Sequence, residues 1–170
     1  NNSSGMCCGT KNNSYHTLQD IRLILNDGTI LDTRDAENVA SFRKSHAGFL
    51  QELTELRERI IANPVLKEKV AVKYRLKNTT GYGVNALIDF EDPVEILKHL
   101  IVGSEGTLGF VSEVVYQTVP EYDHKASAFI YFTSLAECCE TVKALRKEAP
   151  VEAVELFDGR TLHLVGEAIS

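Results

Sequence analysis

Two β-prone runs, Ile21 to Leu25 and Thr29 to Asp32, flank Asn26-Asp27-Gly28, and the Asp-Gly turn between them predicts a hairpin. From about His46 to Ile61 the apolar residues Phe49, Leu50, Leu53, Leu56, Ile60 and Ile61 recur at helical spacing. Glu52, Glu55, Arg57 and Glu58 fall largely off that face, so the stretch predicts a long amphipathic helix. Asn63-Pro64 ends it, because proline cannot continue the hydrogen-bond ladder and restricts the residue before it. A second short helix is predicted from about Val65 to Val72. Lys77 to Gly83 carries neither a helical nor a strand period and reads as a loop. Asp92-Pro93 opens the next helix, with Asp92 as N-cap, Pro93 in the first helical position, and Val94, Ile96, Leu97, Leu100 and Ile101 as its apolar residues. Gly103 to Gly109 is a further glycine loop, and Phe110 to Val119 a strand ended by Pro120.

The pattern changes after Pro120. Glu121 to Lys125 is polar and linker-like, and a new unit follows: strand Ala126 to Phe132, helix Ser134 to about Lys147, strand Val151 to Phe157, and a helix from about Gly159. Ser134 and Glu137 form a capping-box pattern. This β-α-β-α order suits the first half of a ferredoxin-like layer, with a boundary near residue 123, and the chain as a whole reads as α+β. The opening Asn-Asn-Ser-Ser-Gly without Met, and an end inside a helical pattern, predict a piece of a longer polypeptide.

Composition narrows the functional classes. The 170 residues are 44% hydrophobic and 25% charged, as in an ordinary folded domain. No apolar run approaches the roughly 20 residues that span a bilayer, and the chain opens without a secretory signal pattern. With 18 Lys and Arg against 24 Asp and Glu the net charge is −6, which argues against a nucleic-acid partner. Lys67, Lys69, Lys73, Arg75 and Lys77 are read as a solvated face. The cysteines come as adjacent pairs, Cys7-Cys8 and Cys138-Cys139, without the two- to four-residue separation of zinc or cluster ligands. They are expected to be buried small residues of a cytoplasmic, reducing compartment, where the Asn-x-Ser/Thr matches carry no glycosylation.

Three glycine-bearing loops are the candidate chemistry: Asn1 to Gly9, Asn78 to Gly83 and Gly103 to Gly109. Small residues let backbone approach a ligand, and N–H groups outside helices and sheets can point at phosphate oxygens. Gly103 to Gly109 lacks the Gly-Lys-Ser/Thr ending of a Walker A loop, and a strand follows it where a Rossmann fingerprint would open a helix. His16, His46, His99, His124 and His163 never pair at helical metal-site spacing, and most are expected at the surface or at an interface. Neither Ser104 nor Ser112 sits in a Gly-x-Ser-x-Gly elbow. Glu105 either closes its loop by accepting backbone N–H bonds or contacts a ligand. The residues on their own name no catalytic group and no metal ligand.

Asn1-Asn2-Ser3-Ser4-Gly5 resembles the small-residue Asn-x-Gly-Gly loop of the FAD-linked oxidoreductases with a PCMH-type, vanillyl-alcohol-oxidase-like flavin domain. Ile101 to Val114, with Gly-Ser-Glu-Gly-Thr-Leu-Gly at 103–109, is similar to a second segment of that family, and Leu25-Asn26-Asp27-Gly28-Thr29 falls where it has a Leu-Pro-Asp-Gly-Glu turn. Lys77 to Gly83 and Val154 to Asp158 look most like the D-2-hydroxyacid dehydrogenase branch, closest to quinone-linked D-lactate dehydrogenases with a C-terminal iron–sulfur module.

The resemblance implies the second subdomain of a flavin domain over residues 1–122, then the start of a ferredoxin-like, substrate-binding cap over 123–170. It implies FAD contacts from Asn2, Ser3, Ser4, Gly5, Glu105, Gly106, Gly109 and Val111, the last through its backbone. The expected reaction is hydride transfer from the α-carbon of a small 2-hydroxyacid to flavin N5, with D-lactate first and D-2-hydroxyglutarate or glycolate next. Electrons would pass to a quinone or a cytochrome, with any iron–sulfur cluster elsewhere in the parent and a peripheral contact on the inner face of the cell membrane. The family's first pyrophosphate loop and its C-terminal Gly-Asp-Gly-Asn-x-His-type stretch do not occur in this sequence, so the fragment alone is expected to be inactive and a poor FAD binder. Two alternatives stand beside this reading: a non-catalytic module that keeps the flavin scaffold, and an oxygen-using oxidase of the same superfamily.

Overall fold

The computed structural model describes residues 2, 5 and 8–169, and for 166–169 the backbone alone. Ser3 and Ser4, both expected at the cofactor, and Met6 and Cys7 lie outside the described residues. The chain divides into two units, Asn1–Glu121 and Tyr122–Ser170.

In the first unit the hairpin forms around Asp27-Gly28. Strand β1 (Leu18–Ile24) pairs antiparallel with β2 (Ile30–Asp32), with Leu23 opposite Leu31. Gly28 takes a positive φ of 83°, which L side chains resist, and Asp27 accepts the Thr29 amide at 2.9 Å. The other edge of β1 pairs antiparallel with β3 (Phe110–Tyr116), giving a three-stranded sheet in the order β2-β1-β3. β3 stops three residues short of the expected Val119, and its register against β1 shifts between Leu18 and Asp20 and again between Arg22 and Leu23.

Helices supply the second layer. A four-residue turn, α1 (Ser14–Thr17), precedes β1. The expected long helix from His46 is one of two: α2 (Ala36–Ser45) and α3 (Ala47–Ile61) meet at His46, which is non-helical with φ −114°. Asp35 caps α2 by accepting the Glu37 and Asn38 amides, a signal the apolar spacing does not carry because α2 buries Phe42 alone. Next come α4 (Pro64–Lys73), capped by Asn63, a short α5 (Ala86–Asp89), and α6 (Pro93–Leu100), capped by Asp92 as expected. Leu23, Leu31 and Ile96 are fully enclosed, and Leu18, Ile21, Phe42, Leu50, Leu53, Leu87, Val94 and Leu97 complete the core between helices and sheet. Burying a Leu-sized side chain stabilises by about 1.5–3 kcal/mol. Lys98 is also buried: its ammonium donates to the Gln19 carbonyl at 2.8 Å and pairs with Glu95 at 2.8 Å, joining α6 to β1.

The second unit contains α7 (Leu135–Glu148) and α8 (Gly159–Ile169). Ser134 caps α7 by accepting the Glu137 amide at 3.2 Å. The strands expected at Ala126 to Phe132 and Val151 to Phe157 are not formed: both segments lack ladder partners among the described residues, and a strand exists only by exchanging backbone hydrogen bonds with a neighbour. Phe129 and Tyr131 are 83% and 84% exposed.

The cysteines differ from expectation as well. Cys8 is half-buried; Cys138 is half-buried and Cys139 exposed on α7, which buries none of its residues. His99 departs from the surface role expected of most histidines and is buried. The Lys67 to Lys77 run is exposed throughout its basic residues.

Candidate functional site

The three glycine loops, far apart in the chain, meet. α6 unwinds through Ile101, with the Ser104 amide donating to the Ile101 carbonyl at 3.0 Å, and Gly103 turns the chain with φ 89°. A Cβ on Gly103 would lie 2.7 Å from the Gly81 carbonyl oxygen, inside van der Waals contact. Glycine is therefore required at 103 twice over, for its backbone angle and for the approach of the other loop. The same Cβ position is 3.9 Å from Asn2 Cβ. Asn2 Nδ2 donates to the Asn78 carbonyl at 3.4 Å, and its Oδ1 accepts the Tyr15 amide at 3.3 Å. The Lys77 ammonium donates to the Gly5 carbonyl at 3.3 Å.

Between the second and third loops lies an open cleft of about 390 Å³, lined by Thr79, Thr80, Gly81, Tyr82, Gly103, Ser104, Glu105 and Thr107. Its walls are tied by hydroxyls. Tyr82 Oη and Thr107 Oγ1 are 2.9 Å apart, and Thr107 Oγ1 donates to the Ser104 carbonyl at 2.6 Å. From behind, Tyr74 Oη donates to the Tyr82 carbonyl at 2.7 Å and accepts the Val84 amide at 3.3 Å. Burial pushes the Tyr74 phenol up, so it stays neutral and keeps its proton to donate.

The lining is neutral apart from Glu105. That residue holds φ 53°, the left-handed region, at a cost on the order of 1 kcal/mol for a residue with a Cβ. The amides of Gly81 and Gly106 have no protein acceptor among the described residues. Unpaired N–H groups with threonine hydroxyls beside them suit phosphate or polyol oxygens, and the Glu105 carboxylate suits a sugar hydroxyl donor. The donor set thus fits a ligand that carries phosphate and hydroxyl groups.

Below the cleft, a Cβ on Gly83 would lie 3.5 Å from the Tyr15 ring. Tyr15 Oη donates to Asp89 Oδ2 at 2.7 Å, which also accepts from Asn85 Nδ2 at 2.9 Å. Burial first, then the Asp89 hydrogen bond, pushes the Tyr15 phenol far up. His99 stacks on Phe90 at 4.0 Å, and its Nδ1 lies 2.9 Å from the Glu95 carbonyl oxygen; burial pulls its pKa down. Asn85 Oδ1 is buried without a protein partner among the described residues, a loss that an ordered water would relieve. These groups are supports under the loop floor.

Of the residues expected at the cofactor, Glu105 lines the cleft, Gly106 follows it with φ 85°, and Asn2 and Gly5 brace the Lys77-Asn78 side. Glu105 caps no backbone N–H among the described residues. Gly109 and Val111 lie outside the cleft lining, where the chain enters β3. A Cβ at 109 would be 2.8 Å from Leu23 Cδ1 and 3.2 Å from the Ile24 carbonyl oxygen, a packing requirement that holds without any ligand. Sequence reasoning marked the two loops but not Thr79, Thr80, Tyr82, Gly103 or Thr107. Their signal was present as hydroxyl-bearing residues interleaved with the glycines. Among the described residues no group of three or more metal-ligating side chains occurs, and no helix is long and apolar enough to cross a membrane.

No family model matches the chain, and no solved structure does. The chain is similar to the D-2-hydroxyglutarate dehydrogenase of Pantoea ananatis (strain AJ13355), at 29% identity over 164 residues. That match covers 92% of this chain and 15% of the relative, so the chain spans about a seventh of the protein it resembles. The chain's mixed helix and sheet architecture is compatible with α+β.

Proposed function

We propose that this chain is part of an FAD-dependent D-2-hydroxyacid dehydrogenase and holds one wall of its cofactor site. The observation that carries the reading is the meeting of the loops at 79–82 and 103–107 in one cleft, whose Gly81 amide and threonine hydroxyls lie beside the Gly106 amide, both amides unpaired among the described residues, with Asn2 and Gly5 bonded to the Lys77-Asn78 side. In this reading Gly81, Gly106, Thr79 and Thr80 face the phosphates and polyol, and Glu105 accepts from a sugar hydroxyl. Asn2 keeps the first loop against the second, and residues 1–122 and 123–170 are parts of the flavin domain and the cap. FAD, when bound, supplies the hydride acceptor for oxidation of the hydroxyacid to the oxoacid. D-lactate and D-2-hydroxyglutarate are the substrates to test first, the latter because the similar protein bears that name. A quinone or cytochrome acceptor, an iron–sulfur cluster elsewhere in the polypeptide, and a peripheral membrane contact on the cytoplasmic side complete the proposal.

The test is the visible spectrum of the full-length protein, recorded anaerobically before and after addition of D-lactate, D-2-hydroxyglutarate or glycolate. Bleaching of an oxidised flavin band by one of them is the expected result and names the acid. A flavin that none reduces sinks the substrate class. Absence of flavin after reconstitution points to a non-catalytic module, and stoichiometric hydrogen peroxide on aerobic turnover points to an oxidase.

A further inference from the structure

Thr107 makes two hydrogen bonds through one hydroxyl, and their directions are settled by the partners. The Ser104 carbonyl can only accept, at 2.6 Å, so the Thr107 proton is committed there, and Tyr82 Oη at 2.9 Å must donate to Thr107 Oγ1. With Tyr74 Oη donating to the Tyr82 carbonyl at 2.7 Å, an oriented chain runs from the end of α4 through one loop into the other. Its middle link joins the two loops that line the cleft, which also approach closely at Gly81 and Gly103.

We propose that Tyr82 is a positioning residue whose hydroxyl, latched to Thr107, fixes the separation of the two loops and so holds the cleft ready for its ligand. The inference rests on the FAD reading for the identity of that ligand, while the latch itself depends only on the geometry. A cleft held open at the right width avoids the ordering cost that two free loops would add on binding. Tyr82 is 44% exposed, so removing its hydroxyl leaves the fold intact and orphans no buried group.

The experiment uses the full-length protein with FAD titrated into the apoprotein and followed by flavin fluorescence, together with amide hydrogen exchange at Val84 and Thr107. Tyr82→Phe is expected to weaken FAD binding about three- to tenfold, the range for loss of one hydrogen bond. Thr107→Val, which also removes the bond to the Ser104 carbonyl, should weaken it at least as much, Thr107→Ser should restore wild-type affinity, and Tyr82→Phe with Thr107→Val should be no weaker than the worse single variant. Unchanged affinity in Tyr82→Phe, or additive losses in the double variant, overturns the latch. If the wild-type protein takes up no flavin, the FAD reading fails, and exchange decides the latch separately. Faster exchange of both amides in Tyr82→Phe upholds it, and unchanged exchange removes it.

Discussion

The two units use the same kind of sequence and reach different ends. β1 and the segment Ala126 to Phe132 are both short apolar runs next to helices with good caps. β1 is hydrogen-bonded on both edges and encloses Leu23 completely, whereas 126–132 has no ladder and leaves Phe129 and Tyr131 almost fully in solvent. Helices close their hydrogen bonds within themselves, so α7 forms from local signals, Ser134 among them, without burying a residue. Strands cannot do this, and their sequence signal becomes structure only when a partner strand is at hand.

The most sensitive way to break this contrast is hydrogen exchange. Amides of Ile21 and Leu23 should exchange on the order of a thousandfold or more slower than those of 126–132 and 151–157, as expected between core strands and open segments. Comparable protection in the two regions would mean that the second unit has a sheet after all. Substitution sharpens the same point. Leu23→Ala should cost about 2–5 kcal/mol in urea unfolding, while Leu156→Ala, at an exposed position, should stay within about 0.5 kcal/mol.

Gly103→Ala tests whether the loop junction is as tightly specified as the core. A methyl 2.7 Å from the Gly81 carbonyl on a backbone with φ 89° should cost about 1–3 kcal/mol in urea unfolding and, on the proposed FAD reading, lower flavin content. Gly106→Ala meets no atom within 4 Å and should show only the backbone part of that penalty. Smaller again, Asp35→Ala should remove about 1 kcal/mol by uncapping α2, read as a lowered urea midpoint.

The gentlest probe is pH. Burial lowers the His99 pKa, so the folded chain keeps this ring neutral where the unfolded chain protonates it. Its contribution to stability is complete above about pH 6.5, the ordinary histidine value, and is lost as pH falls below it. The melting temperature should drop on acidification from pH 7 to 5, and the drop should flatten in His99→Asn. A drop of equal slope in that variant would place the titrating group elsewhere.

Most of the first unit was legible because its signals are local: Asp27-Gly28 for the hairpin, Asp92-Pro93 for α6, Asn63-Pro64 for the break between α3 and α4. α2 was not, since one buried residue, Phe42, leaves no apolar period, and only Asp35 marks its start. The candidate site was legible as loops but not as contacts. Nothing local tells Gly103 that it will meet Gly81, or Tyr82 that Thr107 will accept its hydrogen bond; both follow from the path that α5 and α6 impose between them.

The order of strands in the sheet also has a timetable. β1 sits at the centre, yet the Ser112 hydroxyl that bonds the Arg22 carbonyl belongs to a residue 90 positions later. During synthesis at roughly 5–20 residues per second, the β1–β2 hairpin must wait on the order of 5–20 s with an open, apolar edge before β3 emerges to cover it. Closing so long a loop is a late, slow event. In that interval the unpaired N–H and C=O groups along Leu18–Ile24 are open to mispairing with neighbouring chains.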